Sequence, residues 1–152
     1  MALVYLLLGT NLGDRAANLK LAHEKLEAVL GRVQGSSETV ETAAVGFDGP
    51  AFLNRVEAYR TLRAPRTILS LCKQIEKSMG RTGTPEYRPD GSRIYKSRII
   101  DIDILEYRIL RRPEKSLEIS TPALTVPHPQ IVSRPFVRPL LDMAVSQTIK
   151  QK

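Results

Sequence analysis

Apolar and polar positions follow two different periods along this chain, and the changes of period mark its elements. Val4 to Leu8 is an uninterrupted apolar run stopped by Gly9, the pattern of a central strand covered on both faces. Asn11, Gly13 and Asp14 mark a turn in which Asp14 is a good helix N-cap. The next segment sets Leu19, Ala22, Leu26, Val29 and Leu30 on one helical stripe and ends at Gly31. His23 falls beside that stripe and reads as a solvated or packed residue rather than a ligand. Val33 to Thr42 is a weaker, β-rich stretch, Phe47 to Ala51 a Gly/Pro loop, and Phe52 to Leu62 another strand. Pro65 opens a second helix at a tolerated first-turn position, with Ile68, Cys72, Ile75 and Met79 as its stripe and Gly80 as its stop. Residues 81–97 are rich in Gly, Pro and Arg and show no period, which predicts a long loop of functional or mobile character. Arg98 to Tyr107 is a strand, residues 108–119 suit a hairpin through Arg112 and Pro113, and the proline-punctuated tail holds a short helix near Pro139 to Ala144.

The resulting order, β-α-β-β-α-β and an extension, predicts a ferredoxin-like α/β (α+β) fold, an antiparallel sheet with helices packed on it. With 152 residues, no internal repeat and no long linker, the chain reads as a single domain over residues 1–152. Its composition, 42% hydrophobic and 26% charged, excludes a disordered or membrane-spanning chain. The apolar start lacks a basic flank and is too short to span a bilayer. A formal charge of +7 calls for an anionic partner, which nucleic acid or nucleotide phosphate would satisfy equally. Aromatic residues are only 5%, without Trp, against a base-stacking platform. The lone Cys72 lies on an apolar stripe, reads as core, and suits a reducing cytoplasm.

Chemistry concentrates in Arg98-Ile99-Ile100-Asp101-Ile102-Asp103-Ile104-Leu105. Alternation puts Asp101 and Asp103 on one face of the strand while Ile100, Ile102 and Ile104 pack into the core. Two carboxylates one pleat apart can hold hard cations that also take phosphate oxygens and water. An isolated Asp-x-Asp is more often just a solvated sheet face. The loop before it carries Arg81, Arg88, Arg93, Lys96 and Arg98 against Glu86 and Asp90, a net charge of +3. Arginine forks bind phosphate bidentately, so the loop reads as the other half of a metal–triphosphate site. Gly9 to Asp14 joins strand to helix but lacks the Gly-Lys-Ser/Thr ending of a Walker loop.

Six stretches together carry a family likeness: Gly9 to Asp14, Phe52-Leu53-Asn54-x-Val56, Gly80-Arg81, Arg98 to Leu105, Leu124 to Pro129 and Arg134-x-Phe136. In this order and spacing the chain resembles the 6-hydroxymethyl-7,8-dihydropterin pyrophosphokinase family from about residue 3 to residue 145. The resemblance implies a ferredoxin-like fold, ATP as donor, two magnesium ions, and AMP as second product in folate biosynthesis. It implies Asp101 and Asp103 as magnesium ligands and, with Arg81 and Arg98, as the catalytic set. Glu76, Arg81, Arg98, Ile104, Thr125, His128 and Arg134 match positions around ATP. Phe52 and Phe136 match the aromatics that sandwich the pterin, Asn54 a side chain at its rim, and Thr42 and Val45 positions whose backbone meets that rim.

There are departures from the family pattern. Gly83 stands where the family often has a second loop arginine, Lys96-Ser97-Arg98 replaces Gly-Pro-Arg, and Tyr95 replaces a common Trp. Thr42-Ala43-Ala44 replaces Thr-Pro-Pro, and Ala123 replaces an arginine. Arg88 and Arg93 are the candidates to supply the missing loop charge. No general base is assigned, the hydroxyl proton going either to Asp101 or to a metal-bound environment. The expected partners are the two small-molecule substrates, with no nucleic acid or membrane, for a cytoplasmic monomer. Rival readings of the same element order are an RNA-binding module, whose strand aromatics are missing here, and a ligand-sensing domain, which has no use for paired aspartates beside a basic loop.

Overall fold

A computed structural model of the chain describes residues 1–44, 48–80, 86–91, 93–94 and 99–150. At its centre is β1 (Ala2–Thr10), whose nine residues are all buried. It runs antiparallel to β4 (Phe52–Thr61) on one side and to β7 (Asp101–Ile109) on the other. The apolar run from Val4 therefore reads correctly as a strand covered on both faces. β2 (Val33–Ser36) and β3 (Val40–Thr42) share the far edge of β4 in succession, against Glu57 to Tyr59 and Phe52 to Asn54 respectively. Ser37 fills the gap between them: its N–H donates to the Val56 carbonyl at 2.8 Å and its hydroxyl accepts from the Val56 N–H at 2.9 Å. No ladder group of Val56 is left without a partner where the edge changes hands. At the opposite edge β8 (Lys115–Ser116) pairs only Arg108 and Ile109.

Two helices cover one face. In α1 (Arg15–Leu30), the Asp14 side chain accepts from the Ala17 N–H at 3.1 Å, as its N-cap position predicts, and Gly31 ends the helix at φ 86°. α2 (Pro65–Ser78) starts at Pro65 and buries Ile68, Cys72 and Ile75. Their stripes meet Val4, Leu6, Leu8, Ile100, Ile102 and Ile104 in the larger core. A fully buried side chain of this kind contributes about 1.5–3 kcal/mol. Cys72 has no exposed surface, and burial pushes its thiol up to about 12. His23 is packed: its ring nitrogens lie 2.9 Å from Glu57 and 3.1 Å from Glu27, joining α1 to β4.

The other face is covered by α3 (Gln130–Ser133) and α4 (Val137–Lys150). Leu3, Tyr5, Leu7, Val56, Ala58 and Leu105 pack there against Ile131, Val137, Leu140 and Leu141. The short helix expected near Pro139 to Ala144 is thus the first half of a 14-residue one. Pro139 stands in its first turn, where a missing N–H costs nothing. Residues 81–97, read as unpatterned loop, contain a two-stranded ladder, β5 (Glu86–Tyr87) with β6 (Arg93–Ile94). The Pro89-Asp90-Gly91 sequence makes its turn, with the Gly91 N–H on the Arg88 carbonyl at 2.9 Å and φ 90° at Gly91. The last strands, β9 (Ile119–Ser120) and β10 (Thr125–Val126), form a separate hairpin. β7 starts three residues later than predicted among the described residues and extends two further. Among the described residues no helix is long and apolar enough to cross a membrane.

Candidate active site

The sheet brings its chemistry together where β1 ends. Gly9 is paired with Asn54 on β4 and with Asp101 on β7, and two residues earlier Leu7 is paired with Val56 and Asp103. Cross-strand partners share a face, so Asn54, Gly9 and Asp101 form one row and Asp103 the next, all on the side of α3 and α4. Strand spacing sets the Asn54 and Asp101 backbones about 10 Å apart with Gly9 between them. Glycine keeps that floor open: a Cβ at Gly9 would stand 3.1 Å from Asn54 Oδ1 and 3.6 Å from the Phe52 ring.

On the β4 side, Asn54 is buried and its Nδ2 donates to Thr42 Oγ1 at 2.8 Å, which fixes the amide and turns its oxygen toward Gly9. Phe52 is half-buried and paired with Thr42. The β3–β4 connection is tied to the start of α1. Asn11 Nδ2 donates to the Pro50 carbonyl at 3.1 Å, and Arg15 donates to the Ala51 carbonyl at 2.8 Å while pairing with Glu41 at 2.8 Å. Arg15 is a cation in the first turn of a helix, where the macrodipole disfavours it. Its links to the β3–β4 segment account for the placement.

On the β7 side, Asp101 and Asp103 are half-buried, whereas Ile100, Ile102 and Ile104 are in the core as alternation predicts. The Ile104 side chain is 2% exposed and packs under α1 and α2, so only its backbone remains for a ligand. Glu76 is also buried, its carboxylate accepting from the Ile102 N–H at 2.9 Å, between the two aspartates on the strand's outer edge. This glutamate from α2 holds β7 where no β8 partner reaches.

A β-bulge links the C-terminal segment to this edge. Leu6 pairs with Ile104 and Tyr5 with Glu106, leaving Leu105 as an extra residue whose carbonyl accepts from the His128 N–H at 2.8 Å. His128 Nδ1 accepts from the Gln130 N–H at 3.1 Å, which assigns the ring proton to Nε2. Burial lowers the His128 pKa below its ordinary value, with the Asp101 charge acting the other way. Gln130 Nε2 donates to Asp103 Oδ2 at 2.9 Å, and Gln130 Oε1 accepts from Arg134 Nη1 at 3.1 Å. The Arg134 guanidinium lies 4.7 Å from the centre of the half-buried Phe136 ring, a cation–π contact. Thr125 begins β10, and beside it a groove of about 500 Å³ runs between α2 and the β9–β10 hairpin, lined by Leu69, Lys73, Lys77, Ala123 and Leu124 among others.

The fold therefore brings Thr42, Phe52, Asn54 and Asp101 to the Gly9 end of β1 and ties His128 and the Arg134–Phe136 pair through Gln130 to the neighbouring Asp103, with Glu76 on the outer edge of β7 and Thr125 one residue beyond the groove-lining Leu124. Arg81, Arg98 and Val45, with Gly83, Tyr95 and Lys96, lie outside the described residues. Gln130 and Arg15 were not anticipated, and Asn11 was read only as a turn residue of the Gly9 to Asp14 stretch. For Gln130 the one available signal is its i,i+4 spacing from Arg134. Among the described residues no three His, Cys, Asp or Glu side chains gather as a metal cage. Two carboxylates one pleat apart fit a hard cation that completes its shell with phosphate oxygens and water.

The profile of the 7,8-dihydro-6-hydroxymethylpterin-pyrophosphokinase family matches residues 5–145. The chain is 41% identical over 146 residues to the 2-amino-4-hydroxy-6-hydroxymethyldihydropteridine pyrophosphokinase of Porphyromonas gingivalis, covering 95% of this chain and 92% of the relative. It is 39% identical over 145 residues to the enzyme of the same name from Aquifex aeolicus, covering 94% and 81%. A mitochondrial folate synthesis bifunctional protein of Pisum sativum is 38% identical over 142 residues, which are 92% of this chain and 25% of that protein. A match of this extent, with the motif residues converging at one end of the sheet, establishes that the chain belongs to the 7,8-dihydro-6-hydroxymethylpterin-pyrophosphokinase family.

Proposed function

We propose that the family's reaction runs at the Gly9 end of β1, with the pterin on the β4 side and the triphosphate on the β7 side. In that reaction diphosphate passes from ATP to the hydroxymethyl group of 6-hydroxymethyl-7,8-dihydropterin, a step of folate biosynthesis, and AMP leaves. The observation that carries the assignment of sides is the row Asn54–Gly9–Asp101 across three strands. It joins a rim amide to a carboxylate across a floor with no side chain. The pterin ring stacks with Phe52 and Phe136, and Asn54, held by Thr42, meets its edge.

Asp101 and Asp103 hold magnesium, and two carboxylates at this spacing suit two ions. A bound metal would supply positive charge that neutralises the triphosphate. Arg81, Arg98, Arg134 and His128, the last as a neutral Nε2–H donor, hold the phosphates in line. Positioning and charge supply most of the rate, since this transfer gives the protein little covalent work. The groove between α2 and the β9–β10 hairpin takes the nucleoside end, which its size and its lining by Leu124, the residue before Thr125, support. The strand order β2-β4-β1-β7 with both crossover helices on one face supports the ferredoxin-like reading. Helices on both faces of β1 leave no open sheet platform for single-stranded RNA, which disfavours the binding-module rival. The chain acts as one domain and as a monomer in the cytoplasm, where its buried, unpaired Cys72 is at home.

AMP release from ATP, dependent on the hydroxymethyl pterin and on magnesium, tests the reading. Asp101→Asn and Asp103→Asn each lower kcat roughly 10²-fold with little change in thermal midpoint, the scale of losing one charge partner in the transition state. Near-normal kcat in both at saturating magnesium removes the metal assignment.

A further inference from the structure

Gln130 stands at the start of α3 and touches three residues of the site at once. Its amide donates to Asp103 Oδ2 at 2.9 Å, the same amide accepts from Arg134 Nη1 at 3.1 Å, and its backbone N–H meets His128 Nδ1 at 3.1 Å. Through Arg134 it reaches the face of Phe136. We propose that Gln130 is a positioning residue for the metal carboxylate, orienting Asp103 and Arg134 together without itself adding a charge beside Asp103.

The argument rests on the chemistry of the amide. A carboxylate that must hold a cation gains from being fixed beforehand, because the rotamer entropy is then already lost. A lysine or arginine in this place would fix Asp103 but neutralise it and compete with the metal. An aliphatic side chain would do neither. Glutamine donates at one end and accepts at the other, so it fixes the acid on one side and the guanidinium on the other without adding charge. Hydrogen-bond partners of metal-binding carboxylates act in this way, and their loss typically costs 10–100-fold in metal affinity. The position is half-buried at the surface of a short helix, so its replacement opens no core cavity.

The inference rests on the reading of Asp103 as a metal ligand, and the experiment separates the two. Manganese(II) binding to the protein with α,β-methylene-ATP, whose carbon bridge replaces the bond broken in the reaction, is followed by the electron paramagnetic resonance of the free ion. Gln130→Met is expected to weaken manganese binding about tenfold, a larger change than in the affinity for the nucleotide analogue without metal. Gln130→Lys is expected to weaken it as well, by occupying Asp103 with a fixed cation. Thermal midpoints of both should stay near that of the unaltered protein, and the loss in turnover should fall on kcat rather than on the KM for ATP. Asp103→Asn serves as the reference. Manganese affinity unchanged in both Gln130 variants but reduced in Asp103→Asn overturns the role of Gln130 alone. Affinity unchanged in Asp103→Asn overturns the metal reading beneath it.

Discussion

At Gly9 the absence of a side chain has a specific consequence. A methyl group there would press on Asn54 Oδ1 at 3.1 Å, and Asn54 is buried and held by Thr42, so it has little room to give. Gly9→Ala should therefore weaken pterin binding roughly tenfold, the value of one misplaced hydrogen bond of about 1.4 kcal/mol, while ATP binding stays the same. Calorimetry with each ligand in turn measures this, and equal weakening of both would mean a general distortion instead. Asp101 and Asp103 were legible in the sequence through strand alternation, Gly9 as the stop of an apolar run, and Asn54 only through the family resemblance. Gln130 and Arg15 were not. A glutamine two residues after a histidine has no chemistry of its own until β7 and α3 are side by side, and Arg15 looks like any helix-surface cation until Ala51 and Glu41 come near.

Among the elements, those with strong periodicity were read well and those made by turn chemistry or long-range contact were not. β1, α1 and α2 follow from apolar runs, the Asp14 cap, Pro65 and the closing glycines. The β5–β6 ladder depends on the Pro89-Asp90-Gly91 turn, a local signal overlooked inside a basic, aperiodic stretch. The full length of α4 depends on packing against β2 and the second core, which single-chain periodicity past Pro139 does not announce. That packing is close. A Cβ at Gly35 would lie 2.5 Å from Thr148 Oγ1 and 2.6 Å from the Ala144 carbonyl, so strand backbone meets helix backbone directly. Gly35→Ala should cost about 1–3 kcal/mol of stability, the range for overpacking a tight contact. Urea titration checks this, with α4 the first element to lose hydrogen-exchange protection. A midpoint equal to that of the unaltered protein would show that the helix can shift away at no cost.

For the molecule as a whole, pH links stability to the site. Burial lowers the His128 pKa in the folded protein, so the unfolded chain takes up this proton first on acidification. The contribution is complete above the ordinary value of about 6.5 and is lost as pH falls from there through the lower folded value. Denaturant midpoints from pH 8 to pH 5 should fall more steeply for the unaltered protein than for His128→Gln, and parallel curves would deny the effect. The bulge on β7 gives this segment its attachment. Because Ile104 and Glu106 already face Leu6 and Tyr5, which are neighbours on β1, Leu105 is an insertion that the ladder itself does not require. The strand would keep its register, and its aspartates their face, without it. Strand pairing and the docking of the C-terminal segment are thereby separable: the chain could gain or lose that peg by one residue's insertion or deletion, altering how firmly His128 is held without turning either carboxylate away from the substrate.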